Sequence, residues 1–388
     1  MKVIISCMSK FWALHLAEQL DKRNHLHKLL TAFYSKKRIV IPEVRKDSEE
    51  IDPSKVITNI LPVLIGKLLN KFPLVNHMFH YNYSSKLFDE WAKSKLDKCD
   101  VLVIWSDVAT HTLKTAKKYS LATVLERGST HILFQKEILE EEYKRYGLQI
   151  KPIDARVIND DLANYSIADY ISIPSKFAKQ TYIERGITSQ RLIQVPFGVD
   201  LETFRPIPKE DNIFRVVFVG ALCLRKGVHY LLEAYSQLKL RNAELMFIGP
   251  VSSEIVQFMK KYEGCYKHVG KIPHLELYKY LSQGSVFILP SIEEGLAMVI
   301  PQALSCGLPV ICTTNTGAED IVTDGKEGFI IPIRSVEQIK EKILYLYEHS
   351  QERAIMGKLA REKAELDLSW EKYGQRMIQE YERILTAL

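Results

Sequence analysis

No apolar run in this 388-residue chain reaches the roughly 18–20 residues that a membrane-spanning helix needs. The first apolar stretch, Val3 to Ser6, is too short for a secretory leader core and has no cleavage pattern after it. A cytoplasmic protein is therefore expected. The six cysteines, Cys7, Cys99, Cys223, Cys265, Cys306 and Cys312, are scattered and form no Cys-x-x-Cys pair. That spacing indicates neither a disulfide framework nor a zinc site. Basic runs interleaved with aromatic residues are missing, so no nucleic-acid partner is expected. There is also no short fixed repeat and no low-complexity tract, which argues against a solenoid.

What is present is ordinary for a globular protein: 46% hydrophobic and 26% charged residues. The length suits two or three domains. Net charge is +6 but uneven. Residues 1–200 carry 30 basic and 23 acidic side chains, while residues 201–388 carry 23 and 24. A basic first half suits an anionic surface, as in peripheral membrane association, or an acidic acceptor; a solvated face with no partner explains it equally.

Apolar patterning alternates between short buried runs and helical spacing. Strands are expected at KVIIS, at 27–33, VLVIWS, ATVLE and DYISIPS, with helices at 108–119, 134–146 and 176–185 between them. Residues 36–55 are polar and charged and read as a loop. Residues 56–72 are apolar at helical spacing but contain Pro62. They read as a helix packed on the domain or lying in a membrane interface. The proline-bearing stretch 195–211 has no clear period and suits a linker. A second series of strands begins at FRVVFVG (214–220) and continues through LMFIG, SVFILPS, PVICT and GFIIP. The chain ends in an amphipathic helix over 369–385. Such alternation argues for α/β architecture with doubly wound parallel sheets.

Residues 290–307, PSIEEGLAMVIPQALSCG, are the most informative. They read as a strand end, an acidic loop and a helix N-terminus. Ligands of parallel sheets bind at the carboxyl ends of the strands, and a helix N-terminus suits phosphate. A carboxylate beside phosphate suits hydroxyls, so the combination points to a nucleotide-sugar. Pro301 is tolerable only in a first helical turn, which puts the helix start near Ala297, Met298 and Val299.

The stretch resembles the signature of the retaining glycosyltransferases of family 4: Glu, seven residues, Glu, after Pro-Ser, running into a helix that ends Cys-Gly-x-Pro-Val. Glu294 takes the first position, and Cys306, Gly307, Pro309 and Val310 complete the frame. Gln302 replaces the second Glu. The linker PFGVDLETFRP (196–206) also resembles the Pro-x-Gly-Val-Asp motif between this family's two domains. The resemblance covers essentially the whole chain and is specific over about 165–332. It implies a GT-B fold with two Rossmann-like domains facing a central cleft. The acceptor domain would span 1–197, joined by a C-terminal helix (369–388) that crosses back to it. The donor domain would span 198–368.

By resemblance, Glu294 would accept hydrogen bonds from the transferred sugar. Gln302 keeps an acceptor oxygen for the ribose hydroxyls but loses the charge. Gly220 ends the strand that precedes Arg225 and Lys226, two cations suited to a leaving diphosphate. Relatives carry an Arg directly after that Gly; here Ala221 stands there, and Arg225 is the expected substitute. Ile272 would meet the nucleobase through its backbone. Ala297, Met298 and Val299 would present N–H groups to the phosphates. His131 would face the sugar or phosphate from across the cleft. Ser9, Lys10 and Arg127 are acceptor candidates, and the first βα loop lacks the family's Gly pair.

Glu293 reads as a loop or helix-start charge, and Glu319 as a helix-start residue. No Asp-x-Asp motif stands at a strand end, so neither a metal nor another cofactor is expected. The expected partners are a nucleotide-sugar donor and a glycan or lipid-linked acceptor. Gln302, Ala221 and the missing Gly pair keep a second reading open, a nucleotide-sugar-binding protein without transferase activity. A GT-B epimerase or phosphorylase is a third.

Overall fold

The computed structural model describes residues 1–8, 11–34, 51–69, 77–150 and 153–387. The first sheet contains β1 (Val3–Ser6), β2 (Leu26–Thr31), β3 (Val56–Thr58), β4 (Val101–Trp105), β5 (Ala122–Glu126), β6 (Tyr170–Ile173) and β7 (Leu192–Gln194). Its helices are α1 (Phe11–Lys22), α2 (Leu61–Leu69), α3 (His77–Lys93), α4 (Thr110–Lys118), α5 (Ile132–Arg145), α6 (Ala155–Ile167) and α7 (Lys176–Ile183). The second sheet contains β8 (Phe214–Val219), β9 (Ala243–Ile248), β10 (Lys267–Gly270), β11 (Val286–Leu289), β12 (Val310–Thr313) and β13 (Gly328–Ile331). Around it lie α8 (Val228–Leu238), α9 (Val256–Lys261), α10 (Leu277–Ser282), α11 (Val299–Ser305), α12 (Val336–Glu348) and α13 (Ser350–Asp367). The last helix is α14 (Trp370–Thr386).

The strand orders are β3-β2-β1-β4-β5-β6-β7 and β10-β9-β8-β11-β12-β13, with parallel pairing throughout. Both orders are doubly wound. They reverse direction between β1 and β4, and between β8 and β11, which opens a crevice at the carboxyl ends of those strands. The central strands β1, β4, β8 and β11 are buried almost throughout, as strands covered on both faces must be.

The helix α14 returns to the first domain. Trp370 stacks on His15 at 4.1 Å, and Tyr373 lies 6.3 Å from Phe197. Gly374 stands where a Cβ would come within 2.3 Å of the Gln19 side chain, so α14 and α1 touch nearly backbone to side chain. The linker is pinned at the same place, since a Cβ on Gly198 would lie 2.7 Å from the Trp370 backbone.

Residues 56–72 differ from expectation. Val56–Thr58 form the edge strand β3, and α2 starts only at Leu61, with Pro62 in its first turn where no N–H is needed. Pro62 and Gly66 are the residues that α2 buries. Ile60, Leu61, Leu64 and Leu68 face outward, exposed by 40–61%. This row is therefore not packed into the core of the described residues. The expected loop at 36–55 falls mostly outside the described residues; its last positions, 53–55, form a short 3-10 turn.

Gly227 binds the two central loops of the second domain together. Its φ is +66°, and an added Cβ would sit 1.9 Å from the Pro290 carbonyl oxygen. Gly227→Ala combines left-handed strain with a backbone clash. It is expected to lower stability by roughly 2–4 kcal/mol, read as a lower urea midpoint. An unchanged midpoint would contradict this packing.

Candidate functional site

The strand β8 ends at Val219, and the chain turns through Gly220 (φ +146°) into a 3-10 turn at Leu224–Lys226. The strand β11 ends in the loop Pro290–Gly295. The two loops are tied by backbone, with Ile292 N–H donating to the Arg225 carbonyl at 2.8 Å. This places Arg225 and Lys226 beside Glu294. Arg225 Nη1 and Lys226 Nζ each lie 2.5 Å from Glu294 Oε1. Arg225 Nη1 also donates to the Glu293 carbonyl oxygen at 2.8 Å. The side chains of Glu294 and Lys226 are only 12% and 11% exposed, so this cluster is poorly screened.

Burial alone would raise the Glu294 carboxyl, but Arg225 and then Lys226 outweigh it and hold it below the usual range. Glu294 in turn raises the Arg225 guanidinium, against the cost of its burial. Two cations thus meet the Glu294 carboxylate at the topological switch point of the second sheet, and Arg225 Nη1 also lies 3.8 Å from Glu293 Oε2. Both cations keep donors that a phosphate can use.

Glu293, expected as a loop or helix-start charge, lies in the loop before α11 but not in solvent. Its side chain is fully buried. It accepts from Thr130 Oγ1 at 2.6 Å and from Gln135 Nε2 at 3.0 Å, both in the first domain. The adjacent carboxylates thus divide their work, Glu294 on its own domain and Glu293 on the facing one. Other contacts close the same cleft. Ser175 Oγ donates to the Gly295 carbonyl at 2.5 Å. Asp320 accepts from Lys176 N–H at 2.8 Å and Gln194 Nε2 at 2.6 Å. Further out, buried Glu142 of α5 meets His229, Tyr230 and Arg334 at 2.7–2.9 Å. Sequence reasoning missed Glu293, Asp320 and Glu142 in these roles, because each finds its partner across the domain boundary.

The helix start is as expected: α11 begins at Val299, Met298 is its N-cap, and Pro301 lies in the first turn. Ala297 differs. Its N–H donates to the Thr316 carbonyl at 3.3 Å rather than standing free. Glu319 lies in a 3-10 turn, Ala318–Asp320. Ile272 follows β10 in a loop that also holds His274. Gln302 is 5% exposed, and its Nε2 lies 3.0 Å from His274 Nε2. Beside this pair, Gly198, Thr203, Phe204 and Trp370 leave a void of about 10 Å³, room for about one water. The Gln302 amide nitrogen is thus spent on His274.

His131 also departs from expectation. It caps α5, with Nδ1 accepting from Leu133 N–H at 3.2 Å. Its ring packs between Tyr165 and Tyr182 and is 2% exposed. Burial, then Arg185 and Arg127, lowers it to about 4, so it is neutral at pH 7 and faces the domain interior. Arg127 pairs with Asp161 at 3.1 Å and lines a separate cavity in the first domain. Ser9 and Lys10 lie outside the described residues. Among the described residues, no group of three or more His, Cys, Asp or Glu is placed to hold a metal ion. No described helix is long and apolar enough to cross a membrane.

Residues 200–363 match the family model described as glycosyl transferases group 1. The chain is 26% identical over 235 residues to an uncharacterized glycosyltransferase of Methanocaldococcus jannaschii, covering 57% of this chain and 59% of that protein. It is 27% identical over 206 residues to a GDP-mannose-dependent monoacylated alpha-(1-6)-phosphatidylinositol monomannoside mannosyltransferase of Corynebacterium glutamicum, covering 47% and 54%. The chain thus spans little more than half the length of these curated relatives. Among solved structures, Anabaena HepE in complex with UDP is similar with a TM-score of 0.69 and 15% identity over 100% of both chains. The two facing parallel sheets are the GT-B fold. The group 1 match and these relatives are likenesses to glycosyltransferases over part of the chain.

Two predictions follow from the buried carboxylates. Glu293→Ala leaves Thr130 and Gln135 without their charged acceptor in a dry interface. The expected loss is about 2–4 kcal/mol by urea unfolding; a loss within experimental error would contradict the bridge. Glu126, 2% exposed at the end of β5, is raised by burial to about 7, against bonds from Ser172 and Trp12. Between its usual 4.5 and about 7 the folded form binds the extra proton. Stability should therefore fall as pH rises through that window, by on the order of 3 kcal/mol. Glu126→Gln should flatten the slope, and an unchanged slope would contradict the assignment.

Proposed function

We propose that the protein is a retaining glycosyltransferase that needs no metal. It transfers a sugar from a nucleoside-diphosphate sugar to an acceptor held against the first domain, in polysaccharide or glycoconjugate synthesis. The observation that carries this reading is the convergence of Arg225 and Lys226 on Glu294 at the switch point. A diphosphate entering there takes up donors of both cations. Glu294 is then released from them in part and can accept from a hydroxyl of the transferred sugar. As the bond from the anomeric carbon to the diphosphate breaks, Arg225 and Lys226 stabilise the charge that develops on the leaving group. The two cations do the electrostatic work that a metal does elsewhere.

Retention, with front-face attack by the acceptor hydroxyl, is taken from the resemblance to family 4. The closed cleft supports the reading, since excluding water favours transfer over hydrolysis. UDP in the HepE structure and GDP-mannose in the mannosyltransferase's name support a nucleotide-sugar donor and leave its base open. Gly220, Ile272, Met298 and Val299 remain the proposed donor contacts, with Gln302 reaching the ribose only after it leaves His274. His131 acts by holding the start of α5, not by touching substrate. The outward apolar row on α2 supports a peripheral contact with a membrane surface.

The test is release of nucleoside diphosphate from UDP-, GDP- and ADP-sugars, with and without an acceptor panel. Lys226→Ala and Glu294→Ala are each expected to lower kcat/KM by ~10²–10³-fold. Full activity in either variant would sink the site. Donor binding with no release under any acceptor would favour a binding protein instead.

A further inference from the structure

A cavity of about 460 Å³ opens at the carboxyl ends of β4 and β5, and the donor chemistry does not use it. Its size falls within the ~300–1,000 Å³ of small-ligand sites. Trp12 and Trp105 stand in its wall with ring centroids 5.8 Å apart. Trp105 and Glu126 are each 2% exposed and both line the cavity. Trp105 Nε1, Glu126 Oε1 and Arg127 Nε have no hydrogen-bond partner among the described residues. Buried polar atoms are rarely left unpaired, and three around one cavity point to a ligand that carries both donors and acceptors.

The cavity adjoins the donor site. Gly128 and Ser129 form part of its lining. Gly295 rests against their backbone so closely that a Cβ on it would lie 2.2 Å from the Gly128 carbonyl oxygen. Glu294 is the preceding residue. The charge of the lining selects the ligand. Asp107, Asp160 and Asp161 supply carboxylates, Glu126 adds a carboxyl group, and Arg127 is paired with Asp161 at 3.1 Å. Lys86 and Lys114 are exposed, at the rim. A phosphate inside meets repulsion. A hydroxyl finds acceptors, and the apolar face of a sugar ring finds indole.

We propose that this cavity binds an uncharged saccharide unit, the end of the acceptor glycan, and presents its hydroxyl toward Glu294. The assignment rests on the transferase reading above and deepens it. It makes Trp105 and Glu126 specificity residues for the acceptor, and it excludes a phosphorylated sugar or a lipid phosphate from the same space.

The full-length protein is titrated with methyl glycosides of glucose, galactose, mannose and N-acetylglucosamine, and with glucose 1-phosphate and glucose 6-phosphate, while tryptophan fluorescence is read. At least one neutral glycoside should give a saturable change that Trp105→Phe removes and Glu126→Gln weakens at least tenfold. The phosphorylated sugars should show no saturation over the same range. Equal or tighter binding of a sugar phosphate overturns the neutral class. A fluorescence change with phosphatidylglycerol vesicles that Trp105→Phe removes and that blocks the glycoside response overturns it in favour of a lipid surface. No saturable change with any glycoside, or a change that Trp105→Phe leaves intact, overturns the site. These readings need no working variant fold, because the wild-type titrations alone can refute the proposal. Nucleoside diphosphate release, measured on the same preparation, reports the transferase reading separately. Release without glycoside binding sinks the cavity assignment and leaves that reading standing.

Discussion

A single oxygen, Glu294 Oε1, holds two cations, and the geometry of the cleft is arranged around it. Sequestering three charges is not in itself a source of stability, since desolvation offsets much of their attraction. The arrangement makes sense as a site kept ready for a ligand. On the proposed function, a diphosphate would share the cations with the carboxylate, so neither cation would lose its partner when it binds. The backbone enforces the meeting. Gly227 must lie on Pro290 for the two loops to close, and a side chain at 227 has no room there.

The second constraint is that the two domains share buried polar groups as well as apolar packing such as Tyr146 against Phe258 at 5.2 Å. Glu293 is held by Thr130 and Gln135, Glu142 by three groups of the facing domain, and Asp320 by the start of α7 and the end of β7. Such contacts are directional, so they define one closed arrangement. They also come at a desolvation cost. Because Glu293 and Glu294 are neighbours in the chain, closure and placement of the Glu294 carboxylate are mechanically joined.

Much of this was legible in the sequence, and what was not shares one cause. Buried strands, the linker at Pro196–Pro206, the helix start after Met298 and the loop that carries Arg225 and Lys226 are local features. Short motifs carry them because each element's own period or turn chemistry dictates them. Glu293 was misread because a carboxylate in a loop is normally solvated, and only the facing domain's Thr130 and Gln135 change that. His131 was placed in the cleft by resemblance, whereas its N-cap bond and two tyrosines turn it inward. Gln302 was read against a ribose, and the partner it finds, His274, lies 28 residues away. The helix α6 gave little signal because its buried face includes Asp161 and Asn164, which interrupt the apolar stripe.

The central claim is that the cations paired with Glu294 are the diphosphate site. The most direct measurement is a crystal structure of the protein with a bound nucleoside diphosphate. The account predicts phosphate oxygens within hydrogen-bond distance of Arg225 and Lys226, with at least one cation drawn off Glu294 Oε1. A diphosphate bound elsewhere, with both cations still on Glu294, would contradict it.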